Sequence, residues 1–344
     1  MTFAIKTLLA EPESKSGLFL LANILLSVYV LFSVTSWFYT LIYLIAQIVI
    51  FQVINQWLTS GRSYTSKKNL NNQTVIVTGA ASGIGRETAL QLAKLHARVI
   101  VGIRGQDRAE RIAQELSKQS NGNVIGYHLD LSDLSSVKSF AEKIDKVDIL
   151  INNAGVAKKQ KEFTKDGLES TFGTNHIGHF YLTQLLLPLL IKSSGRIVNV
   201  SSLMHVFANE NTDFIKNNSY NTIKAYAESK LANILHVIEL QRRYNNRGIK
   251  AYALHPGSIA STELGRDVNS MESILLYPLV IISKTIPQGA MTTLYCALSD
   301  KAQPGKYHAD CRATQPSSTA YNSKKAEELW ELSETIINEK IKHL

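Results

Sequence analysis

The sequence predicts an α/β domain built on a doubly wound parallel sheet and preceded by N-terminal transmembrane helices. Three observations carry this expectation. From Gln73 onward, short β-branched runs alternate with amphipathic helical periods. A glycine-rich turn, TGAASGIG at 78–85, joins the first such run to the first helix. Ahead of both, residues 16–61 contain no charged side chain at all.

The apolar stretch is about twice the ~20 residues that a membrane span needs. A polar break at Ser33, Thr35 and Ser36 divides it into two expected helices, 18–34 and 37–57. The second carries Gln47, Gln52, Asn55 and Gln56, which suits an interfacial or partner-facing helix. A secretory signal peptide fits poorly, because the run is too long and lacks a small-residue cleavage site. The expected organisation is a short segment 1–16, an anchor 17–58 of one or two helices, a polar linker 59–72 and a single domain 73–344.

Within that domain the elements follow in order. TVIVT (74–78) reads as a buried strand and GRETALQLAKLH (85–96) as an amphipathic helix. RVIVGI (98–103) is a second strand, after which Asp107 and Glu110 carry a capping-box signature for a helix running to about Lys118. NVIGYHL (123–129), VDILIN (147–152), GRIVNVS (195–201) and IKAYALH (249–255) supply four more strands, with helical stretches between them.

Composition narrows the function classes. The net charge of +9 comes without a dense basic block, which argues against a nucleic-acid partner and for anionic ligands or an anionic membrane surface. Two cysteines, Cys296 and Cys311, form no disulfide framework and lack the companions of a metal site, so no metal is expected and the thiols read as reduced. Arg62, Lys67 and Lys68 follow the anchor, which favours a cytosolic face for the domain. Of the three sequons, Asn72, Asn199 and Asn217, Asn199 lies in an expected buried strand that could carry no glycan in any orientation, and Asn217, in the Asn-rich excursion, is then expected to stay unmodified.

The chemistry-bearing residues begin with the glycine turn. Gly79, Gly83 and Gly85, with Ser82 and Ile84, let a backbone approach a pyrophosphate at a helix N-terminus. The second strand ends in Ile103–Arg104, where an NAD-binding fold would place an acid for the ribose 2′-hydroxyl. An arginine there suits a 2′-phosphate, so the expected cofactor is NADP(H). In KAYAESK (224–230), Tyr226 and Lys230 stand four residues apart on one helix face. A cation beside a phenol favours the phenolate, as a proton donor near neutral pH requires.

TGAASGIG, LDLS (129–132), NNAG (152–155), Tyr226-x-x-x-Lys230 and HPG (255–257) occur in the order that marks the short-chain dehydrogenase/reductase family, and the chain from about 73 to 344 resembles it. TFGTNHIGHFYLT (171–183) and ELWELSE (328–334) are similar to its membrane-anchored, retinol dehydrogenase-like branch. The resemblance implies a Rossmann fold with a nicotinamide cofactor. By it, Tyr226 is the general acid, Lys230 lowers the Tyr226 pKa and binds the nicotinamide ribose, and Ser202 bonds the substrate carbonyl. Asn175 would hold a water that links Lys230 to solvent. Asp130 and Leu131 flank the adenine, and Asn153, Ala154 and Gly155 line the cleft. Pro256, Gly257, Ile259 and Thr262 approach the nicotinamide and phosphates. His176, His179 and His205 are expected to be structural or substrate-facing. The Asn-rich segment between Ser202 and Tyr226 is about ten residues longer than in many relatives and is expected to be a surface excursion.

The expected function is therefore a membrane-anchored NADP(H)-dependent oxidoreductase that interconverts a hydrophobic alcohol and its carbonyl, whether retinoid, steroid or polyprenol-like. Its substrate loop is expected at 258–287, with the apolar stretch ILLYPLVIISKTI. The expected location is the endoplasmic reticulum or lipid-droplet membrane, with a homodimer left open. The alternative is a membrane-bound scaffold that binds cofactor without turnover.

Overall fold

The computed structural model describes residues 61–209, 220–259 and 283–342, together with residues 19, 22, 23, 25, 26, 41–47, 49–51 and 54 of the apolar stretch. The expected spans 18–34 and 37–57 lie largely outside the described residues. Residues 41–47 are helical, and the Phe19 and Phe51 rings stack with centroids 5.7 Å apart, so the two apolar segments touch there. Among the described residues no helix is long and apolar enough to cross a membrane.

The six expected strands are present: β1 (Thr74–Thr78), β2 (Arg98–Ile103), β3 (Asn123–His128), β4 (Ile149–Asn152), β5 (Arg196–Val200) and β6 (Lys250–His255). Two short strands escaped the sequence reading, β7 (Tyr307–Ala309) and β8 (Arg312–Thr314). The sheet order is β3-β2-β1-β4-β5-β6-β7-β8. All neighbours are parallel except β7 and β8, so the expectation of a purely parallel sheet is corrected at one edge. A two-residue turn through Asp310 and Cys311, both at positive φ, makes that hairpin.

The inner strands β1, β2, β4, β5 and β6 are buried on both faces, which is why they read as continuous apolar runs rather than alternating ones. One face packs against α1 (Gly83–Lys94), α2 (Gln106–Ser120) and α6 (Ile286–Leu298). The other packs against α3 (Leu134–Ala141), α4 (Gly178–Lys192), α5 (Thr222–Tyr244) and α7 (Ser323–Ile341). The chain winds outward one way through β1, β2 and β3 and the other way through β4, β5 and β6. The strand order therefore reverses between β1 and β4, and a crevice opens beyond their C-terminal ends.

The capping box expected from Asp107 and Glu110 does not form. The helix starts at Gln106 behind Gly105, whose φ of 90° is open to glycine, and no side chain caps it. Glu110 instead accepts from the Gln106 side chain at 2.7 Å, and Asp107 sits in the first turn, where it favours the helix dipole.

Candidate active site

A cleft of about 600 Å³ occupies the switch point. It is lined by Gly79, Ser82, Gly83, Ile84, Gly85, Arg104, Asp130, Leu131, Asn153, Ala154, Gly155, Ser202, Tyr226, Lys230, Pro256, Gly257 and Ile259. Residues spread over 180 positions of sequence thus meet in one place. Thr262 lies outside the described residues.

The phosphate end is built by β1 and α1. Gly79 has φ +68°, and a Cβ there would stand 2.8 Å from the Ala154 backbone. A Cβ on Gly85 would stand 2.3 Å from Asn153 Nδ2. These glycines therefore do more than admit a ligand: they let the loop after β4 press against the turn after β1. Ser82 opens α1 without a side-chain cap, so the first amides of that helix face the cleft unsatisfied by a cap. At the far end, Arg104 is joined by Arg108 from the first turn of α2, a residue the sequence reading missed. Its spacing did not single it out, because Arg104 lies ahead of the helix that carries Arg108.

The chemical end is built by β5 and α5. The Lys230 ammonium lies 5.5 Å from the centre of the Tyr226 ring and donates to the Val200 carbonyl at 3.1 Å. Ser202 stands beside the Tyr226 hydroxyl and favours its ionised form. Ser202 itself is held by a 3-10 turn, Leu203–Phe207: Met204 N donates to Ser202 Oγ at 3.2 Å, and His205 Nδ1 donates to the Ser202 carbonyl at 2.7 Å. His205 Nε2 accepts from Ser317 N at 3.1 Å, so the C-terminal segment braces the serine loop. The excursion that follows, 210–219, lies outside the described residues, as does the sequon at Asn217. Asn199 is buried in β5.

Electrostatics here depart from the sequence expectation. Burial pushes the Tyr226 phenol up to about 12, opposed only by the neighbouring Ser202 side chain. Burial pushes Lys230 down to about 8. Desolvation therefore outweighs the attraction expected to lower the tyrosine. Near neutral pH the pair is a phenol beside an ammonium.

Asn175 does not line the cleft. It sits fully buried in a π turn, Gly173–Ile177, an insertion that recurs at functional sites. Its Oδ1 accepts from Val156 N at 2.7 Å, and its Nδ2 donates to Val156 O at 2.9 Å and to Ser229 Oγ at 3.0 Å. A Cβ on Gly155 would fall 3.2 Å from Lys230 Nζ and 3.6 Å from Asn175 Oδ1, so the lysine and the asparagine flank that glycine.

The short chain dehydrogenase family profile matches residues 73–273. The chain belongs to the short chain dehydrogenase family. Retinol dehydrogenase 12 of Mus musculus is 42% identical over 284 residues, which cover 80% of this chain and 89% of that relative. Retinol dehydrogenase 13 of Homo sapiens is 38% identical, over 83% and 90% of the two chains. Retinol dehydrogenase 11 of Homo sapiens is 40% identical, over 81% and 90%. An uncharacterized protein from Mycobacterium Paratuberculosis superposes with a TM-score of 0.66 at 36% identity, covering 80% of this chain and 97% of its own. The Pseudomonas aeruginosa RhlG/NADP complex, at 21% identity and a TM-score of 0.57 over 70% and 95%, shares the fold. A short-chain dehydrogenase binds a nicotinamide dinucleotide and acts between alcohol and carbonyl.

Proposed function

We propose that this protein is a membrane-anchored, NADP(H)-dependent oxidoreductase that reduces a hydrophobic aldehyde or ketone, or runs the reverse oxidation. The observation that carries the reading is the meeting of Ser202, Tyr226 and Lys230 at one end of a cleft whose other end holds Arg104 and Arg108. The cleft fits the cofactor on this chain's own features. Side chains are missing where a pyrophosphate needs close approach, the α1 amides are open, and two guanidiniums with no competing carboxylate at position 103 suit a 2′-phosphate.

When bound, the nicotinamide supplies hydride. The protein's part is to orient the carbonyl and deliver one proton. Ser202 Oγ and Tyr226 Oη, neighbours at this end of the cleft, present two hydroxyls to the carbonyl oxygen. As that oxygen gains charge, the Tyr226 Oη proton moves to it. The direction is favourable, because an alkoxide is far more basic than even this raised phenol. The resulting phenolate is stabilised by the Lys230 ammonium.

Membrane attachment rests on the uncharged stretch 16–61 and on the lysines and arginine that follow it. A hydrophobic substrate, of retinoid, steroid or polyprenol type, follows from that anchor and from the retinol dehydrogenases among the relatives. The test is NADPH consumption by purified full-length protein across a panel of lipid aldehydes and ketones, with Tyr226→Phe beside it. Turnover by the native chain and its loss in the variant, with NADPH binding retained in both, is the expected result. NADPH binding without turnover on any carbonyl would support the alternative of a cofactor-binding scaffold.

A further inference from the structure

The segment that follows the apolar stretch is fastened where it begins. Arg62 N donates to Asp310 Oδ1 at 2.7 Å, and the Arg62 carbonyl lies 3.5 Å from Cys311 Sγ. The fit at Gly61 is close enough that a Cβ there would stand 1.9 Å from Asp310 Oδ1. Asp310 follows Ala309, the last residue of β7, which is in register with His255, the last residue of β6. Asp310 therefore stands on the C-terminal edge of the sheet, the edge from which the cleft opens. Lys284, almost fully buried, also pairs with Asp310 Oδ1 at 3.4 Å, and its amide donates to Ser258 O at 2.8 Å. Both ends of the chain between Ser258 and Lys284 thus meet the exit of the apolar stretch beside the cleft.

A second observation is independent of the first. From residue 61 onward, the exposed large apolar side chains among the described residues are Phe163 (62% exposed), Ile223 (58%), Phe207 (50%) and Tyr321 (38%). The first three stand on segments that line the cleft through Val156, Met204 and Tyr226. Phe163 is in the crossing after β4, Phe207 ends the turn that begins at Ser202, and Ile223 is less than one turn ahead of Tyr226. The Tyr220 hydroxyl donates to the Lys158 carbonyl at 2.6 Å and Thr222 Oγ1 to the Lys159 carbonyl at 3.1 Å, which joins two of these segments into one rim. Exposed Lys159 and Lys161 lie on the same rim. Tyr321, the least exposed of the four, lies beside Lys306 instead.

We infer that this rim is a membrane-contact surface, so that the substrate side of the cleft rests on an anionic bilayer and opens toward it. The inference deepens the proposed function and rests on its membrane anchoring. Apolar side chains interleaved with lysines are what a lipid interface recognises: the rings enter the acyl boundary and the ammonium groups meet phosphates. The anchor exit at Arg62 places the bilayer on this edge of the sheet rather than the other. A hydrophobic substrate then passes from lipid to the Tyr226 hydroxyl without crossing water.

The test uses full-length protein reconstituted in phosphatidylcholine vesicles with and without phosphatidylserine. Cys296 and Cys311 are buried, so single cysteines introduced at Phe207, at Ile223 and, as control, at exposed Asn246 on the opposite edge take a fluorophore selectively. Lipids carrying a bromine or nitroxide quencher in the acyl chain should quench labels at 207 and 223, more with phosphatidylserine present, and leave 246 bright. Phe163→Asp/Ile223→Asp should lower turnover of a bilayer-dissolved long-chain aldehyde by about tenfold while sparing a water-soluble one. Protein that floats with the vesicles but shows equal or no quenching at all three positions would overturn the orientation and leave the anchoring intact. Protein that fails to float would overturn both.

Discussion

His179 donates its Nδ1 proton to the carbonyl oxygen of Asn175, 3.0 Å away, and that bond fixes the tautomer of the ring. A carbonyl oxygen only accepts, and burial holds the imidazole neutral by pushing it down to about 4, with the Lys230 cation adding to the effect. Nε2 therefore accepts, and the Thr78 hydroxyl 2.8 Å away donates to it. Thr78 Oγ1 in turn accepts from Asn153 N at 2.9 Å and Ala154 N at 3.0 Å. The π turn that carries Asn175, the turn that opens the phosphate end and the loop after β4 are thus joined through one histidine. The sequence placed His179 near the motifs as structural or substrate-facing; the bonds make it a positioning residue.

His179→Leu should remove the ring's bond to Asn175 O and leave the Thr78 hydroxyl only the longer bond to the Ile151 carbonyl, at 3.4 Å. Each unmet buried partner costs about 1–3 kcal/mol, so the melting temperature should fall. If the network positions the site, KM for NADPH should rise and kcat should fall beyond what the lost stability explains. Thr78→Val combined with His179→Leu should then lose less than the sum of the two single variants. Additive losses, or an unchanged KM and kcat in folded protein, would mean that the ring merely fills space.

Arg104 and Arg108 predict cofactor choice. Arg104→Asp should move preference from NADPH toward NADH, because a carboxylate repels the 2′-phosphate and accepts from the 2′-hydroxyl. With Arg108 at the same end of the cleft, Arg104→Asp alone should retain part of the NADPH preference, and Arg104→Asp/Arg108→Ala should abolish it. The ratio of kcat/KM for the two cofactors measures this. An unchanged ratio in the double variant would place the phosphate contact elsewhere.

The legible part of this protein was its apolar arithmetic. Strands β1 to β6 lie where β-branched runs stand between helical periods; in all but the edge strand β3, burial on both faces leaves nothing to alternate with. β7 and β8 are three residues each, and His308 and Arg312 break any run, so only pairing with β6 reveals them. Asp107 and Glu110 satisfied a local pattern that Gly105 overrode. Arg108 looks like any surface arginine until α2 packs and turns it to the cleft. Motif spacing named Tyr226 and Lys230, but the sign of the tyrosine's shift is a property of burial, which spacing does not carry.

Lys230 sets an alkaline limit. Its folded value is lowered from 10.5 to about 8. As pH rises through about 8 the ammonium discharges, and the phenolate that forms as Tyr226 gives up its proton loses its counter-charge. The rate of carbonyl reduction should therefore decline above about pH 8. Lys230→Arg, if folded, should move that decline upward, since a guanidinium stays charged. A rate that stays level to about pH 10, near the ordinary lysine value, would separate Lys230 from the chemistry.

The buried histidines set an acid limit on the fold. His176 and His255 are pushed down to about 3, and His179 and His205 to about 4, each chiefly by burial; His236 lies well below its ordinary 6.5 for the same reason. In the unfolded chain each takes a proton near 6.5, while in the native protein each stays neutral until much lower pH. Between those values the unfolded state binds more protons, so stability rises with pH and is lost as pH falls below about 6.5. Each such histidine contributes up to about 1.4 kcal/mol per pH unit to that slope. Several acting together should make the urea midpoint drop steeply between about pH 7 and about pH 5, well before the carboxylates titrate. Asp133, Asp145 and Asp300, all lowered from 3.8, lose their contribution only below that range. His205→Gln, which removes one titrating ring, should flatten the slope by one proton even though it also weakens the brace between Ser202 and Ser317. A midpoint that does not change across this range, or a His205→Gln slope equal to that of the native chain, would show that these rings take up protons in the folded protein as readily as in the unfolded one.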